Sequence, residues 1–274
     1  NTANILNFNV YNTTITNIHF SSHNIQREEQ YKPHTTTVDK LHYIVTYAFW
    51  EGSDGGGANP MFNVCGKSVV SNSVFDLNNF ALIIKDGMVS GNENVPSAPK
   101  NLLTTPTFLT FRDCVFNNSE LNLTIKCEFI NCTFNNVRFK SNRDWAGKTV
   151  RFESCKFNFN NDTTSYSGAS TNVSPFYFVN HQLVEFYNCE LKGCIKTSSN
   201  NIFLSTSYSA DSKFIIKNTT FDLYTGSETS KTKVYLFQLT NKANTDTYSM
   251  DILIDGCTML NYTVPLKLTG NSVV

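Results

Sequence analysis

Three polar segments of this sequence each place a large aromatic residue close to an aspartate. The pairs are Asp144 with Trp145, Tyr208 with Asp211, and Asp246 with Tyr248. Aromatic ring faces pack against the apolar faces of sugar rings, and carboxylates accept hydrogen bonds from sugar hydroxyls. The three pairs therefore predict a glycan-binding surface, provided that the rings do not fold back onto their own loops.

A second group of polar residues has a spacing that acid–base chemistry can use. Glu128, Arg151 and Glu185 occupy equivalent positions between apolar residues, and Glu153 is close to this row. A glycosidase needs two carboxyl groups roughly 5–9 Å apart, which Glu153 and Glu185 can provide. The neighbouring Arg151 and Lys156 favour ordinary ion pairing instead. The sequence also lacks a Ser-His-Asp signature and a glycine-rich phosphate loop, so no catalytic residue is predicted.

The elements that position these residues belong to one repeated pattern. It reads apolar-x-apolar-x-(Asn/Asp/Ser/Gly)-(Cys/Thr)-x-apolar, which describes two short strands joined by a tight corner. The strong copies are LTFRDCVF (109–116), CEFINCTF (127–134), VRFESCKF (150–157), VEFYNCEL (184–191), FIIKNTTF (214–221) and ILIDGCTM (252–259). Weaker copies are SVVSNSVF (68–75) and TTITNIHF (13–20). Repetition of such a unit indicates that each copy buries its apolar face against the next.

The interval between copies favours a solenoid of parallel strands. Cys114 and Cys132, at the same position in consecutive copies, are 18 residues apart, whereas a β-propeller blade needs about forty residues. A third apolar strand lies between copies, as LNLTI (121–125), VRF (137–139), FYFV (176–179), IFLS (202–205), VYLFQL (234–239) and LKL (266–268). We therefore predict an all-β solenoid of about eight coils, with three short strands per coil and loop insertions.

The corner residues carry a resemblance to a known architecture. They are of types that tolerate the left-handed conformation of a two-residue corner, namely Asn72, Asp113, Asn131, Ser154, Asn188, Asn218 and Gly256. With three strands per coil, residues 60–270 resemble the right-handed parallel β-helix of the pectate-lyase type. The resemblance implies a ladder of hydrogen-bonded asparagine side chains along the solenoid axis, formed here by Asn72, Asn131, Asn188 and Asn218.

The same resemblance leads to a comparison with polysaccharide-cleaving relatives. Asn244-Thr245-Asp246 matches the first short motif of the polygalacturonase group. The other signatures of that group, an Asp-Asp pair, Gly-His-Gly and Arg-Ile-Lys, are absent from the sequence. The resemblance therefore implies an architecture and not a cleavage activity.

Cysteine usage indicates a reducing environment. The sixth pattern position, which we expect to form one buried line, holds Cys114, Cys132, Cys155, Cys189, Thr219 and Cys257. Parallel strands about 4.8 Å apart hold their Cβ atoms too far apart for easy disulfide bridging. No CxxC or CxxxH cluster occurs, so no metal site and no cofactor are predicted. A line of reduced thiols favours folding in a cytosol.

Composition narrows the classes of partner. The 274-residue chain has a formal net charge of zero and only 16% charged residues, which argues against nucleic acid or an anionic membrane as the main partner. No stretch approaches the roughly 18 unbroken apolar residues of a membrane span. We expect residues 1–60 to form an N-terminal coil or cap with long loops, and residues 61–274 to form one continuous β-helix. A first residue of Asn1 suggests a fragment or a processed product.

Three functions follow from these observations. The first is a bacteriophage tail-spike or tail-fibre protein that folds in the host cytoplasm and binds a cell-surface polysaccharide from the virion. Its resemblance to such proteins implies a homotrimer that contacts other virion or appendage subunits. The second is a secreted polysaccharide lyase or glycoside hydrolase of β-helix fold. The third is a bacterial surface adhesin, which cysteine usage disfavours because exported passengers usually avoid cysteine.

Overall fold

The fold is described by a computed structural model, which covers residues 7–11, 14–17, 19–21, 42–44, 61–65, 67–76, 81–86, 108–123, 125–140, 148–160, 174–179, 181–195, 201–206, 212–240 and 250–269. Within these ranges the chain forms strands and no helix. In chain order the strands are β1 (Asn7–Tyr11), β2 (Thr14–Thr16), β3 (His19–Ser21), β4 (His42–Ile44), β5 (Met61–Cys65), β6 (Lys67–Ser71), β7 (Val74–Asp76), β8 (Ala81–Asp86), β9 (Phe108–Arg112), β10 (Val115–Asn117), β11 (Glu120–Leu123), β12 (Lys126–Ile130), β13 (Thr133–Asn135), β14 (Arg138–Lys140), β15 (Lys148–Glu153), β16 (Lys156–Asn160), β17 (Phe176–Val179), β18 (His181–Tyr187), β19 (Glu190–Cys194), β20 (Phe203–Thr206), β21 (Ser212–Lys217), β22 (Thr220–Ser227), β23 (Ser230–Thr232), β24 (Val234–Thr240), β25 (Met250–Asp255), β26 (Thr258–Met259) and β27 (Thr263–Thr269).

Along the chain, most of these strands add one after another to three sheets of parallel strands. The first sheet runs β1-β5-β8-β11-β14-β17-β20, and the second runs β2-β6-β9-β12-β15-β18-β21-β25. The third runs β3-β7-β10-β13-β16-β19-β22, with β4 beside β3 and with β23 and β26 beside β22. A further parallel pair joins β24 to β27. We call one passage through the three sheets a coil. The prediction of an all-β fold of parallel strands is confirmed, and this strand order is compatible with a β-solenoid.

In-register stacking of the repeat copies builds the core from columns of phenylalanine. In the second sheet Phe111 pairs with Phe129 and Phe129 with Phe152, and the stacked rings have centroids 5.0 and 5.2 Å apart. In the third sheet Phe116 stacks on Phe134 at 5.2 Å. The two columns meet edge to face, as at Phe129 and Phe134. Burial of each ring contributes about 1.5–3 kcal/mol, and the ring geometry adds roughly 0.5–1.5 kcal/mol per pair.

The corners between the second and third sheets have a left-handed backbone. The φ angles are positive at Asn72 (49°), Asp113 (52°), Asn131 (52°), Ser154 (55°), Asn188 (54°), Asn218 (50°) and Gly256 (62°). This conformation directs each corner N–H towards the next coil, so that Asn131 N donates to the Glu153 carbonyl at 2.8 Å and Asn188 N to the Lys217 carbonyl at 3.0 Å. At Gly256 a Cβ would lie 2.4 Å from Asn218 Oδ1, so a larger residue there would require the Asn218 side chain to move.

The side-chain ladder at these corners is shorter than expected. Asn131 Nδ2 donates to Asp113 Oδ1. In the part of the chain that the structure describes, no such bond joins the side chains of Asn72, Asn188 and Asn218. Ser154 and Gly256 interrupt the column, because the side chain of one is too short and the other has none. A longer run of amide bonds lies in the third sheet.

The sixth pattern position forms a line of small buried groups. Exposure is at most 3% for Cys114, Cys132, Cys155, Cys189 and Thr219. The Sγ of Cys155 lies 3.4 Å from the Glu153 carbonyl oxygen, and the Thr219 hydroxyl donates to the equivalent Lys217 oxygen at 3.0 Å. Burial raises the pKa of the Cys155 thiol above its ordinary value, which keeps the thiol protonated. Cys257 differs from the expectation and is half-buried, because no described strand stacks on its coil.

Substitutions at Asn131 test the left-handed corner. Asn131→Gly and Asn131→Ala both remove the bond to Asp113, but only alanine is strained at a φ of 52°. We expect Asn131→Ala to be less stable than Asn131→Gly by about 1 kcal/mol, measured from urea unfolding midpoints. Equal stability of the two variants would contradict the left-handed assignment.

Thiol titration tests the buried cysteine line. All seven cysteines whose side chains the structure describes are free, and the chain contains eight cysteines in all. We expect titration in denaturant without a reductant to detect every one of the eight as a free thiol. In the folded protein the line should react slowly, because buried thiols are inaccessible to the reagent. Recovery of disulfide-linked peptides from the line would contradict this expectation.

Candidate functional site

The loop residues of the predicted glycan surface lie outside the described residues. These are Asp144, Trp145, Tyr208, Asp211, Asp246 and Tyr248. The Asn244-Thr245-Asp246 motif lies outside them as well. The described chain carries two other polar surfaces, one on the outer face of the second sheet and one on the outer face of the third.

The surface on the second sheet is a charged network centred on Arg151. Glu128, Arg151 and Glu185 are neighbours in three successive strands. The Arg151 Nε lies 3.7 Å from Glu128 Oε1, and its Nη2 lies 2.7 Å from Glu153 Oε2. The guanidinium also packs 4.8 Å above the ring of Tyr187, whose hydroxyl donates to Glu185 Oε1 at 2.8 Å. Each of the three glutamates thus has a partner within this network.

Electrostatics agrees with this pairing. Partial burial lowers the pKa of Arg151, but the hydrogen bond to Glu153 and the charges of Glu185 and Glu128 outweigh it and raise the pKa overall. Desolvation and the bond to Glu185 raise the pKa of Tyr187. The carboxylates of Glu153 and Glu185 are therefore held by a guanidinium and a phenol.

The surface on the third sheet is a row of amides. We call Asp76, Asn117, Asn135 and Asn158 the amide row; they occupy the same outward position in neighbouring strands. Asn117 Nδ2 donates to Asp76 Oδ1, Asn135 Nδ2 to Asn117 Oδ1 at 2.8 Å, and Asn158 Nδ2 to Asn135 Oδ1 at 2.8 Å. The strand spacing of about 4.8 Å therefore sets the repeat of this row. In the next two strands the same position holds Lys192 and Asp222.

The amide row ends in a groove of about 580 Å³. We call it the tyrosine groove; it is lined by Asn158, Phe159, Lys192, Gly193, Asp222, Tyr224, Lys231, Asn261 and Tyr262. It crosses four coils, from β16 to the turn before β27. Its polar residues continue the amide row, and its aromatic residues lie beside that row.

The floor of the groove depends on Gly193. Gly193 lies between Phe159 and Leu223 in the third sheet and has a φ of 106°. A Cβ at this position would lie 2.0 Å from the Phe159 carbonyl oxygen. Only glycine therefore lets β19 approach β16 so closely. The half-buried Phe159 is an apolar residue of the groove lining beside Gly193.

One wall of the groove is a hairpin. Beyond the third sheet, β22 continues into an antiparallel pair with β23, from Thr225 opposite Thr232 to Ser227 opposite Ser230. A Cβ at Gly226 would lie 2.2 Å from the Ser230 carbonyl oxygen, so the hairpin requires glycine there.

The hairpin holds two side chains of this wall, Tyr224 and Lys231, together with Glu228. It places Lys231 Nζ 4.2 Å above the centre of the Tyr224 ring. The Tyr224 hydroxyl donates to Glu228 Oε1, and Glu228 Oε2 lies 3.0 Å from Lys231 Nζ. The ring of Tyr224 is thereby fixed at both its face and its hydroxyl.

The opposite wall comes from the turn between β26 and β27. Asn261 has a φ of 54°, and its Nδ2 donates to Asp222 Oδ1 at 2.6 Å. The adjacent Tyr262 is 37% exposed, and its ring centre is 6.5 Å from that of Tyr224 with a 57° tilt. The groove therefore presents aromatic faces, amides, a carboxylate and ammonium groups within one volume.

Sequence reasoning did not single out these groove residues. Tyr224 and Lys231 lie between the repeat copies, and no copy contains Tyr262 either. A usable signal was nevertheless present, because the period-two alternation of residues 220–224 places Asp222 and Tyr224 on one outward face. The position of Tyr262 beside them follows only from the stacking of the last coil.

Comparison of the chain with protein-family models, with curated proteins and with solved structures found no match in any of the three. Among the described residues, no group of three or more His, Cys, Asp or Glu side chains is placed to hold a metal ion. The same part of the chain has no helix that is long and apolar enough to cross a membrane.

The titration of Tyr224 tests the hairpin wall. Its hydrogen bond to Glu228 is the main cause that raises the pKa of Tyr224 to about 12. The bond favours the neutral phenol and so stabilises the folded protein. This stabilisation is complete below about pH 10, the ordinary pKa of tyrosine, and is lost as the pH rises through about 12, the pKa in the folded protein. We expect Glu228→Gln to lower the pKa of Tyr224 towards about 10, measured by phenolate absorbance with Tyr224→Phe as the assignment control. Identical titration curves for Glu228→Gln and the native protein would contradict the contact.

Proposed function

We propose that this chain is a glycan-binding β-helix of a bacteriophage tail spike or tail fibre. The observation that carries the proposal is the tyrosine groove at the end of the amide row. Its lining joins aromatic rings to amides, one carboxylate and ammonium groups. This combination suits a sugar, because a sugar ring has apolar faces and hydroxyl edges.

The architecture that we propose is a right-handed parallel β-helix of the pectate-lyase type. Three observations support it: the recurring order of the three sheets, the parallel register of neighbouring coils, and the left-handed corners. Crossover connections between parallel strands are right-handed in about 98% of cases, because the natural twist of strands favours that hand. The same twist favours right-handed winding here.

The polar surfaces support binding better than cleavage. Hydrolysis of a glycoside uses two carboxyl groups with separate roles. Among the described residues that line the tyrosine groove there is a single carboxylate, Asp222, which accepts a bond from Asn261. On the second sheet, Glu128 and Glu153 are ion-paired with Arg151. A secreted lyase or hydrolase is therefore the weaker reading of these surfaces.

The setting that we propose is a virion. The line of free, buried cysteines suits a protein that folds in a reducing host cytoplasm before it is built into a particle. The same line argues against an adhesin that is exported through an oxidising space. In this setting the chain forms a homotrimer, contacts other appendage subunits and binds a surface polysaccharide of the host cell.

Substitution of Tyr262 tests the proposed glycan site. The ring is exposed, so Tyr262→Ala is expected to leave the melting temperature unchanged. Loss of a stacked aromatic should weaken glycan binding by about 1 kcal/mol, or roughly fivefold, on an array of bacterial surface polysaccharides. Leu253→Ala is the matched control, because Leu253 is similarly exposed (43%) in the same coil but lies outside the groove.

A third variant separates the groove from the predicted loop surface. Trp145→Ala is expected to keep full binding if the groove is the principal site. If Trp145→Ala abolishes binding while Tyr262→Ala does not, the site belongs to the loops and the groove assignment is wrong. If the native protein binds no polysaccharide on the array, the glycan-binding function itself is refuted.

A further inference from the structure

The charged groups of the tyrosine groove are already compensated by partners on the protein. Lys192 Nζ lies 3.3 Å from Glu190 Oε1, and Lys231 Nζ lies 3.0 Å from Glu228 Oε2. Asp222 lies beside Lys192 in the neighbouring strand. The two lysines and three acids in and around the groove therefore carry a formal net charge of −1. Both described ammonium groups of the groove are ion-paired, and the remaining negative charge disfavours the carboxylate of an acidic sugar.

The aromatic faces of the groove differ in what covers them. The ammonium of Lys231 lies over one face of Tyr224, and the cation–π contact holds it there. Tyr262 is more than a third exposed, so its ring can be covered by a ligand. Phe159, the strand neighbour of Gly193, adds an apolar residue to the lining. The groove thus offers apolar contacts to a sugar ring from Phe159 and from Tyr262.

The polar groups of the groove include both donors and acceptors. The Asn158 amide donates one hydrogen bond to Asn135. In the same planar group, its Oδ1 is an acceptor and its second N–H is a further donor. Asp222 accepts from Asn261 through Oδ1, and Oδ2 is a further acceptor. Lys192 carries three ammonium protons and is half-exposed. A hydroxyl both donates and accepts, so a polyol matches this mixture better than an anion does.

We propose that the tyrosine groove binds an uncharged saccharide, with one sugar ring against Tyr262 and its hydroxyls on Asn158, Lys192 and Asp222. This inference rests on the glycan-binding function proposed above and names the class of glycan. In it the lysines act as hydrogen-bond donors and not as counterions. The amide row then extends the same hydrogen-bonding surface towards neighbouring sugar units.

The charge class of the glycan can be measured with the full chain and defined probes. Dextran, mannan and galactan serve as neutral probes, and polygalacturonate, hyaluronate and polysialate serve as acidic probes. We expect one or more neutral probes to bind, with an affinity that changes less than about twofold between about 0.05 and 0.5 M NaCl, because an uncharged ligand has no charge for salt to screen. Tyr262→Ala should reduce this affinity at least about fivefold, and Leu253→Ala should not change it.

A charge variant separates the two roles of the lysines. Lys192→Gln keeps a hydrogen-bond donor but removes the positive charge, so neutral binding should fall less than about threefold. Preferential binding of an acidic probe, lost both in 0.5 M salt and in Lys192→Gln, would overturn the neutral class while leaving glycan binding intact. Binding of a neutral probe that Tyr262→Ala does not weaken would overturn the location. Failure of every probe to bind would overturn the glycan-binding function together with this inference.

Discussion

In-register stacking of parallel strands is the constraint on which the rest of this structure depends. Because each coil places equivalent residues about 4.8 Å from those of the next coil, a residue type repeated in the sequence becomes a column in the fold. Inward columns are the phenylalanine stacks and the buried cysteine line. Outward columns are the Arg151 network and the amide row. Core and surface therefore obey the same rule.

The candidate site arises where an outward column changes its residues. Asparagine at the end of the third-sheet strands gives way to Lys192 and Asp222, and Gly193 removes a side chain beside them. In the next coil, β22 extends into a hairpin instead of leading directly to the first sheet. These local departures create a groove with an apolar floor on an otherwise regular face. A regular solenoid supplies the rigid base, and the irregular residues supply the recognition.

The sequence was informative wherever a residue's neighbours are set by the repeat itself. Phe116, Phe134 and the corner residue Asn131 could be placed because period-two alternation and the corner pattern determine their surroundings. The tyrosine groove could not be derived in this way. Its walls come from the β22–β23 hairpin and from the turn between β26 and β27, which both lie outside the repeat. How close these two segments lie to each other depends on the lengths of the segments between repeat copies. The half-burial of Cys257 has a similar cause, since the repeat pattern does not say which of the described coils lacks a stacked neighbour.

Asparagine shows how position within a coil decides the role of one residue type. At the corner, Asn131 has a left-handed backbone and its N–H bonds to the next coil. Four residues later, Asn135 has a strand backbone and its side chain bonds to its neighbours in the column. Asn136 begins the next corner, again with a positive φ. An abundance of asparagine therefore does not by itself mark a ladder or a binding face. Asn158 lines the groove because it occupies the outward position in the third sheet. Its neighbours at that position in the next two strands are Lys192 and Asp222, which end the row of amides.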